Sequence, residues 1–206
     1  SQRLKNKNLL KIKNKTLVEK TIDFSIKIKK VDKIIVSSDN KKILDLAKKY
    51  AKILFHKRPK YLSKNNSLIT TVVNYLDNIL GKQFINIMIL QPTSPYRSIK
   101  DINNQWLKFI DLKKKYKSIA SVSMGKNNEK KKFKIIKNIL IDQKSNKNKE
   151  FYQANGNFFI SNMNFIKRYN KFIVSGKTTA SVIEIKKNSI DIDTEKDYKQ
   201  ALRLYK

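Results

Sequence analysis

Apolar runs alternate with amphipathic stretches along the chain, without an internal repeat or a linker rich in proline, glycine and serine. Short runs of β-branched and aromatic residues predict strands, and apolar residues recurring every three or four positions predict helices. The predicted strands cover 33–37, 53–55, 86–90, 118–123, 156–160 and 180–185. The predicted helices cover 16–29, 40–50, 68–80, 102–112, 164–169 and 195–205. This alternation is typical of an α/β fold.

Residues 125–150 interrupt this pattern. The stretch is rich in lysine and asparagine and holds two short apolar pieces, 133–136 and 139–141, on either side of Lys137-Asn138. An asparagine-containing turn between β-forming pieces predicts a hairpin. We expect it to project from a single domain of residues 1–206, with apolar residues that need a partner surface. A symmetric homodimer would supply that surface, so 125–150 is a candidate dimerisation element.

The charge is the strongest compositional feature, since 47 basic residues against 16 acidic ones give a formal net charge of +31. Such a charge is one signature of nucleic-acid binding. However, only five basic residues are arginine, and Lys, Asn and Ile together fill 92 of the 206 positions, as A- and T-rich codons produce. Scattered lysines give attraction to the phosphate backbone without base readout, which relies on arginine forks. We therefore expect no specific nucleic-acid partner, and a basic nucleic-acid-binding protein stays as the alternative from a different class.

Composition also excludes several kinds of site. The chain has no cysteine and a single histidine, His56, so disulfide scaffolds, thiolate zinc sites and multi-histidine metal sites are excluded. Its apolar runs fall far short of the ~18 residues that cross a membrane. We expect a cytoplasmic protein without a membrane partner.

The segment Ser189-Ile190-Asp191-Ile192-Asp193-Thr194 is the most informative for chemistry. In a strand, alternate side chains point the same way, so Asp191 and Asp193 would share a face. Paired carboxylates suit Mg²⁺, which takes one or two of them together with substrate phosphates. In the alternative interpretation, one aspartate caps the last helix and the other is solvated. Thr194 and Asp197 have the spacing of a capping box.

The second candidate segment is the loop that contains Gln91 and Ser94, between two prolines. It follows an apolar strand and so presents short polar side chains at the carboxyl end, where open α/β sheets bind ligands. An ordinary strand-to-helix turn would have the same pattern.

Three further segments carry weaker signals. Arg3 and Lys7 in the basic start of the chain could hold phosphates, or belong to a frayed terminus. Arg58 follows a strand end and could bind an anion or form a surface ion pair. Asn155-Gly156 marks a turn whose aromatic neighbours could line a sugar pocket or pack in the core.

The order of these segments is more specific than any one of them. Six motifs follow one another from Ser1 to about Leu204. They are Ser-x-Arg-Leu-x-x-Lys-Asn, Ile-Val-Ser-Ser-Asp, Arg-Pro-x-x-Leu, Leu-Gln-Pro-Thr-Ser-Pro-x-Arg, Asn-Gly and Ser-Ile-Asp-Ile-Asp-Thr-x-x-Asp. In this the chain resembles the acylneuraminate cytidylyltransferase family. The resemblance implies a Rossmann-like nucleotidyltransferase three-layer sandwich with a small dimerisation element. It also implies a reaction in which CTP and a nine-carbon 2-keto sugar acid give a CMP-sugar and pyrophosphate with Mg²⁺.

The resemblance also assigns residues. It implies catalytic roles for Arg3, Lys7, Gln91 and Asp193, substrate binding by Ser1, Asn8, Arg58, Ser94, Asn155 and Gly156, and a metal pair of Asp191 and Asp193. Two alternative hypotheses about function stay open in addition to nucleic-acid binding. One is a cytidylyltransferase for an eight-carbon keto sugar acid, and the other is an incomplete domain that assembles only with partners.

One departure from the family affects the fold. The family has a first strand and an Ala-Arg-x-Gly-Gly loop ahead of the serine, and neither is present in this sequence. In a doubly wound sheet this strand is central. We therefore expect the first central strand to be missing and its neighbours, 34–36 and 86–90, to have unpaired edges.

Overall fold

A computed structural model describes residues 4, 6–64, 67–125, 131–143 and 150–205, which form ten strands and six α-helices. The helices are α1 (Leu17–Ile26), α2 (Lys41–Ala47), α3 (Ile69–Ile79), α4 (Ile99–Asp111), α5 (Met163–Tyr169) and α6 (Glu195–Arg203). The strands are β1 (Lys11–Ile12), β2 (Lys15–Thr16), β3 (Ile34–Ser38), β4 (Ile53–Lys57), β5 (Asn86–Ile89), β6 (Ser118–Met124), β7 (Phe133–Ile136), β8 (Ile139–Asp142), β9 (Tyr152–Asn162) and β10 (Thr179–Val182). Within these residues no helix is both long and apolar enough to cross a membrane.

The main sheet has six strands in the order β5-β9-β6-β10-β8-β7. Strand β9 runs antiparallel to both β5 and β6, whereas β10 runs parallel to β6. Strands β3 and β4 form a separate parallel pair, and β1 and β2 a small hairpin.

Helices cover both faces of the main sheet. On one face, Phe165 and Ile166 of α5 pack with Val122 of β6 in a buried cluster. On the other, Phe109 of α4 packs with Ile119 and Ile160. This arrangement of helices on both sides of a mixed sheet confirms the predicted α/β three-layer sandwich.

The starts of α1 and α2 agree with their sequence signals, whereas α1 ends three residues earlier and α4 begins three residues earlier than predicted. Helix α1 begins at Thr16, whose hydroxyl accepts from the Glu19 backbone N–H while the Glu19 carboxylate accepts from the Thr16 N–H. Asn40 caps α2 in the same sense, by accepting from the Lys42 N–H. Such caps satisfy backbone donors that have no partner within the helix, so the sequence fixes where these helices start.

A cavity of about 1060 Å³ lies between β3 and β5. Among the described residues, β3 pairs only with β4 and β5 pairs only with β9, so the edges of β3 and β5 have no strand partner on the cavity side. Apolar side chains of α1 and α3, including Ile22 and Val72, also line it. This confirms the expectation that these two strands have unpaired edges.

We predict that an apolar strand of five or six residues followed by Ala-Arg-Gly-Gly, added ahead of Ser1, raises the thermal midpoint by about 5 °C or more. Each buried aliphatic side chain contributes roughly 1.5–3 kcal/mol, and 1 kcal/mol shifts the midpoint by roughly 2–4 °C at this chain length. Calorimetry would measure the change. An extension of equal length with alternating prolines, which cannot complete a hydrogen-bonded ladder, is the control. Equal midpoints for the two extensions would contradict the prediction that an added strand fills the cavity between β3 and β5.

The hairpin predicted in 125–150 is present as β7 and β8, joined at Lys137 and Asn138, which both have positive φ. Its apolar residues, however, do not all need a partner surface. Phe133 and Leu140 are 2% and 0% exposed because β8 pairs with β10 and β7 pairs with β9, which folds the hairpin onto the chain's own core. Ile136 remains 47% exposed. The expectation of a projecting element with two unpartnered apolar clusters is therefore wrong for Phe133 and Leu140; residues 126–130 and 144–149 lie outside the described part.

Candidate active site

The loop after β5 packs against β9 at the position of the Asn-Gly turn. The Gln91 backbone N–H donates to the Gly156 carbonyl at 3.3 Å, and the Ser94 hydroxyl donates to the Asn155 carbonyl at 2.8 Å. The Gln91 side chain lies so close to Gly156 that a Cβ there would be 2.2 Å from Gln91 Oε1. Gly156 also has a φ of +71°, which glycine adopts without strain. The structure therefore brings Gln91, Ser94, Asn155 and Gly156 together.

Asn155 is held by a buried polar network. Its Oδ1 accepts from the Ser121 hydroxyl at 2.7 Å and from the Asn157 N–H at 3.1 Å, while the residue is only 3% exposed. Its Nδ2 has no hydrogen-bond partner among the described residues. A buried donor without a partner is costly, and such an atom is explained when a ligand supplies the acceptor.

The two aspartates lie in a segment without regular secondary structure, so the strand geometry assumed for 189–194 does not form. A single backbone hydrogen bond, from the Ile192 N–H to the Thr93 carbonyl at 2.8 Å, fixes it against the Gln91 loop. The predicted alternation holds nevertheless. Ile190 and Ile192 are 6% and 0% exposed, whereas Asp191 and Asp193 are partly exposed. One hydrogen bond to a loop is enough to fix the segment but does not make a ladder.

Helix α6 does not depend on either aspartate for its cap. The Thr194 hydroxyl accepts from the Asp197 N–H and the Asp197 carboxylate accepts from the Thr194 N–H, which is the predicted capping box. Asp193 instead accepts from Lys7 Nζ at 2.9 Å, although the two residues are 186 positions apart. The structure thus brings a residue from the basic start of the chain to the candidate metal pair.

This arrangement fits Mg²⁺. Within the described residues no group of three or more His, Cys, Asp and Glu could hold a metal, so an ion here would rely on Asp191 and Asp193 together with ligands from the substrate. Mg²⁺ is commonly bound by one or two carboxylates, with substrate phosphates and water completing its octahedron. The ammonium group of Lys7 beside Asp193 indicates that the position accommodates a cation.

The cavity between β3 and β5 connects the remaining predicted residues. Lys7, Asn8, Arg58 and Gln91 all line it. Arg58 donates to the Ser37 carbonyl at 2.6 Å and to the Ser37 hydroxyl at 3.3 Å, so it is anchored to β3 and is not a surface ion pair. Burial lowers the pKa of the Arg58 guanidinium, and the negative charge of Asp39 opposes that shift. Arginine keeps its charge despite such a shift, so Arg58 is a fixed positive group at the end of β3 and β4.

Two predicted residues, Ser1 and Arg3, lie outside the described residues. Sequence reasoning did not select Arg97 and Asn157. Asn157 donates from Nδ2 to the Tyr96 and Asn188 carbonyls, both at 2.9 Å, and so fastens the Gln91 loop to the segment ahead of the aspartates. Arg97 contacts the same loop. The rarity of arginine in this lysine-rich chain is the signal that could have identified it.

Two curated relatives are similar in sequence over almost the whole chain. The N-acylneuraminate cytidylyltransferase of Escherichia coli O18:K1:H7 is 26% identical over 215 residues, which cover 99% of this chain and 49% of that enzyme. The CMP-N,N'-diacetyllegionaminic acid synthase of Legionella pneumophila is 28% identical over 213 residues, covering 96% of this chain and 88% of that enzyme. The chain therefore spans about half the length of the first relative and most of the second.

Similarity in structure agrees with similarity in sequence. A CMP:2-keto-3-deoxy-manno-octonic acid synthetase complexed with CTP superposes with a TM-score of 0.73 at 11% identity, over 100% of this chain and 93% of that one. This likeness supports the nucleotidyltransferase fold. The profile of the family described as Cytidylyltransferase matches residues 1–206. The chain therefore belongs to the cytidylyltransferase family, as its ordered motifs indicated.

Proposed function

We propose that this chain transfers the cytidylyl group of CTP to a nine-carbon 2-keto sugar acid. The anomeric hydroxyl of the sugar acid attacks the α-phosphorus in line and loses its proton. The bond from the α-phosphorus to the bridging oxygen breaks, so the products are a CMP-sugar and pyrophosphate. The observation that carries the proposal is the convergence of Lys7, Arg58, Gln91 and the Asn155-Gly156 turn, which come from four distant parts of the sequence.

The chemistry of each side chain suits this reaction. Phosphoryl-type transfer depends mainly on positioning and on neutralising charge. Lys7 and Arg58 are positive groups on the cavity wall and are placed to meet phosphate oxygens. Gln91 orients the sugar acid, and Asn155 Nδ2 donates to an oxygen of the substrate, which would satisfy this buried donor. Arg3 is assigned to the triphosphate on the resemblance alone.

Asp191 and Asp193 are the residues that would hold Mg²⁺. When bound, the ion supplies charge neutralisation at the phosphates and lowers the pKa of the attacking hydroxyl. The chain's single histidine, His56, pairs with Ser37 in the β3–β4 sheet and is not assigned to the site. A dedicated histidine base therefore has no part in the proposal.

A nine-carbon acid is favoured over an eight-carbon one. The curated relatives at 26% and 28% identity are named for acylneuraminate and diacetyllegionaminic acid, whereas the eight-carbon synthetase is similar at 11% identity. A pyrophosphate-release assay with each of the four nucleoside triphosphates and a panel of keto sugar acids tests this. We expect release only with CTP and a nine-carbon acid. Release with the eight-carbon acid alone would overturn the substrate, and no release with any pair would overturn the reaction.

We further propose a cytoplasmic homodimer in which the hairpin of β7 and β8 contributes to the interface. The exposed Ile136 supports this, because an apolar side chain 47% exposed at the end of β7 gains from a partner surface.

We predict that Ile136→Asp shifts the mass in light scattering from dimer toward monomer, because it places a charge in that surface. Ile110→Asp on α4, at 46% exposure, is a matched control that should leave the mass unchanged. Equal masses for both variants would place the interface elsewhere. Leu140 is unsuited to this test, since it is fully buried and its substitution would perturb folding.

A further inference from the structure

Arg97 holds together three elements that meet at the candidate site. Its Nε donates to the Asn157 carbonyl at 2.8 Å, Nη1 donates to Thr21 Oγ1 at 3.4 Å, and Nη2 donates to the Gln91 carbonyl. These acceptors belong to β9, to α1 and to the loop after β5. The Arg97 side chain therefore links Gln91, the residue assigned to the sugar acid, to β9, which carries the Asn155-Gly156 turn.

Only arginine can make this set of contacts. The planar guanidinium directs its N–H groups outward in a rigid fork, whereas lysine offers one ammonium on a flexible stem. The chain uses lysine at 42 of its 47 basic positions, so an arginine here is unusual against its own composition. The three acceptors provide a physical reason for the exception.

Holding a guanidinium here has an electrostatic cost. Desolvation lowers the pKa of Arg97 to about 9, and the negative charge of Asp191 opposes that shift. The group remains charged at neutral pH. Arg97 therefore lies within electrostatic range of Asp191, while Asp193 accepts from Lys7.

We propose that Arg97 is a positioning residue, which sets the Gln91 loop against β9 so that the sugar acid is aligned with CTP. The inference rests on the proposed function, because Gln91 is the group assigned to the sugar. Arg97 acts through the two carbonyls that it holds and does not contact the reacting atoms.

The main test is Arg97→Lys, which keeps the charge and loses the fork. We expect kcat/KM for the sugar acid to fall by roughly 10–100-fold, because a misplacement near 1 Å costs up to about 10²-fold. The KM for CTP should stay within twofold. Arg168→Lys is the matched control, since Arg168 is exposed on α5 and its Nη1 donates to Tyr116. A loss shared equally between the two substrates, or no loss, would overturn the inference.

A double variant separates positioning from stability. In a Gln91→Ala background, Arg97→Lys should have little additional effect, because the two residues act on one group. A full additional loss there would mean that Arg97 acts elsewhere. If Arg97→Lys does not fold by circular dichroism, Thr21→Val removes one contact of the fork, and the same selective fall in kcat/KM for the sugar acid is expected at smaller size. A wild-type chain without cytidylyltransferase activity would refute the proposed function, whereas active wild type with an unselective Thr21→Val would refute only this inference.

Discussion

Asp193→Asn should lower turnover with CTP and a sugar acid by roughly 10²–10³, the scale for losing one group that stabilises charge in a transition state. Asparagine keeps the size of the side chain but removes the negative charge. It therefore weakens both the proposed Mg²⁺ site and the 2.9 Å contact with Lys7. Steady-state pyrophosphate release measures the change. The thermal midpoint should move little, because partly exposed ion pairs are worth only about 0–1 kcal/mol.

The second aspartate provides the internal check. Asp191→Asn should act in the same direction, and the double variant should lose little more than the worse single one if both carboxylates serve one ion. Asp45→Asn is the matched control, since Asp45 is an exposed aspartate paired with Lys41 on α2, remote in sequence from the site. Normal turnover in Asp193→Asn would remove it from the catalytic set, and fully additive losses would argue against a shared ion.

The sequence predicts strands and helices well where an apolar run is buried or a capping residue marks the start of a helix. The apolar run that gives β6 is buried between helices, whereas those that give β3 and β5 are half-buried beside the cavity. Capping residues such as Thr16 mark where helices begin. The small hairpin of β1 and β2 was missed, because two-residue strands leave no measurable periodicity.

The hairpin over 133–142 shows a different limit of sequence reasoning. The turn at Lys137-Asn138 is encoded locally, so it was predicted correctly. Whether Phe133 and Leu140 face a partner or the chain's own core depends on pairings with β9 and β10, which are distant in the sequence. The local hydrophobic pattern alone cannot decide whether these side chains are buried against a partner or in the chain's own core.

The sequence identified most residues of the candidate site, but it did not predict the contacts between them. Alternation over 190–193 correctly gave the burial of Ile190 and Ile192, although no strand forms there. The contact between Lys7 and Asp193 spans 186 positions, and the fork of Arg97 joins three elements. Such long-range polar contacts have no periodic signature, so only the fold reveals them.

Gly156→Ala should lower kcat/KM for the sugar acid by about 10²-fold while changing the fold little. The added Cβ would lie 2.2 Å from Gln91 Oε1 and 2.9 Å from the Ser94 hydroxyl, closer than atoms can approach. The end of the Gln91 side chain is flexible, so it can move away at small energetic cost. That movement displaces the group proposed to orient the sugar acid, and a misplacement near 1 Å is worth up to about 10²-fold.

The positive φ of Gly156 must be separated from this crowding. Gly176 has a φ of +74°, close to the +71° of Gly156, but nothing lies within 4 Å of its hypothetical Cβ. Gly176→Ala therefore carries the same backbone strain, roughly 1–2 kcal/mol, without touching Gln91. Both variants should lose similar stability in thermal melts, while only Gly156→Ala should raise the KM for the sugar acid. Equal kinetic losses in the two would show that strain and not the position of Gln91 controls activity, and normal kinetics in both would remove Gln91 from the sugar site.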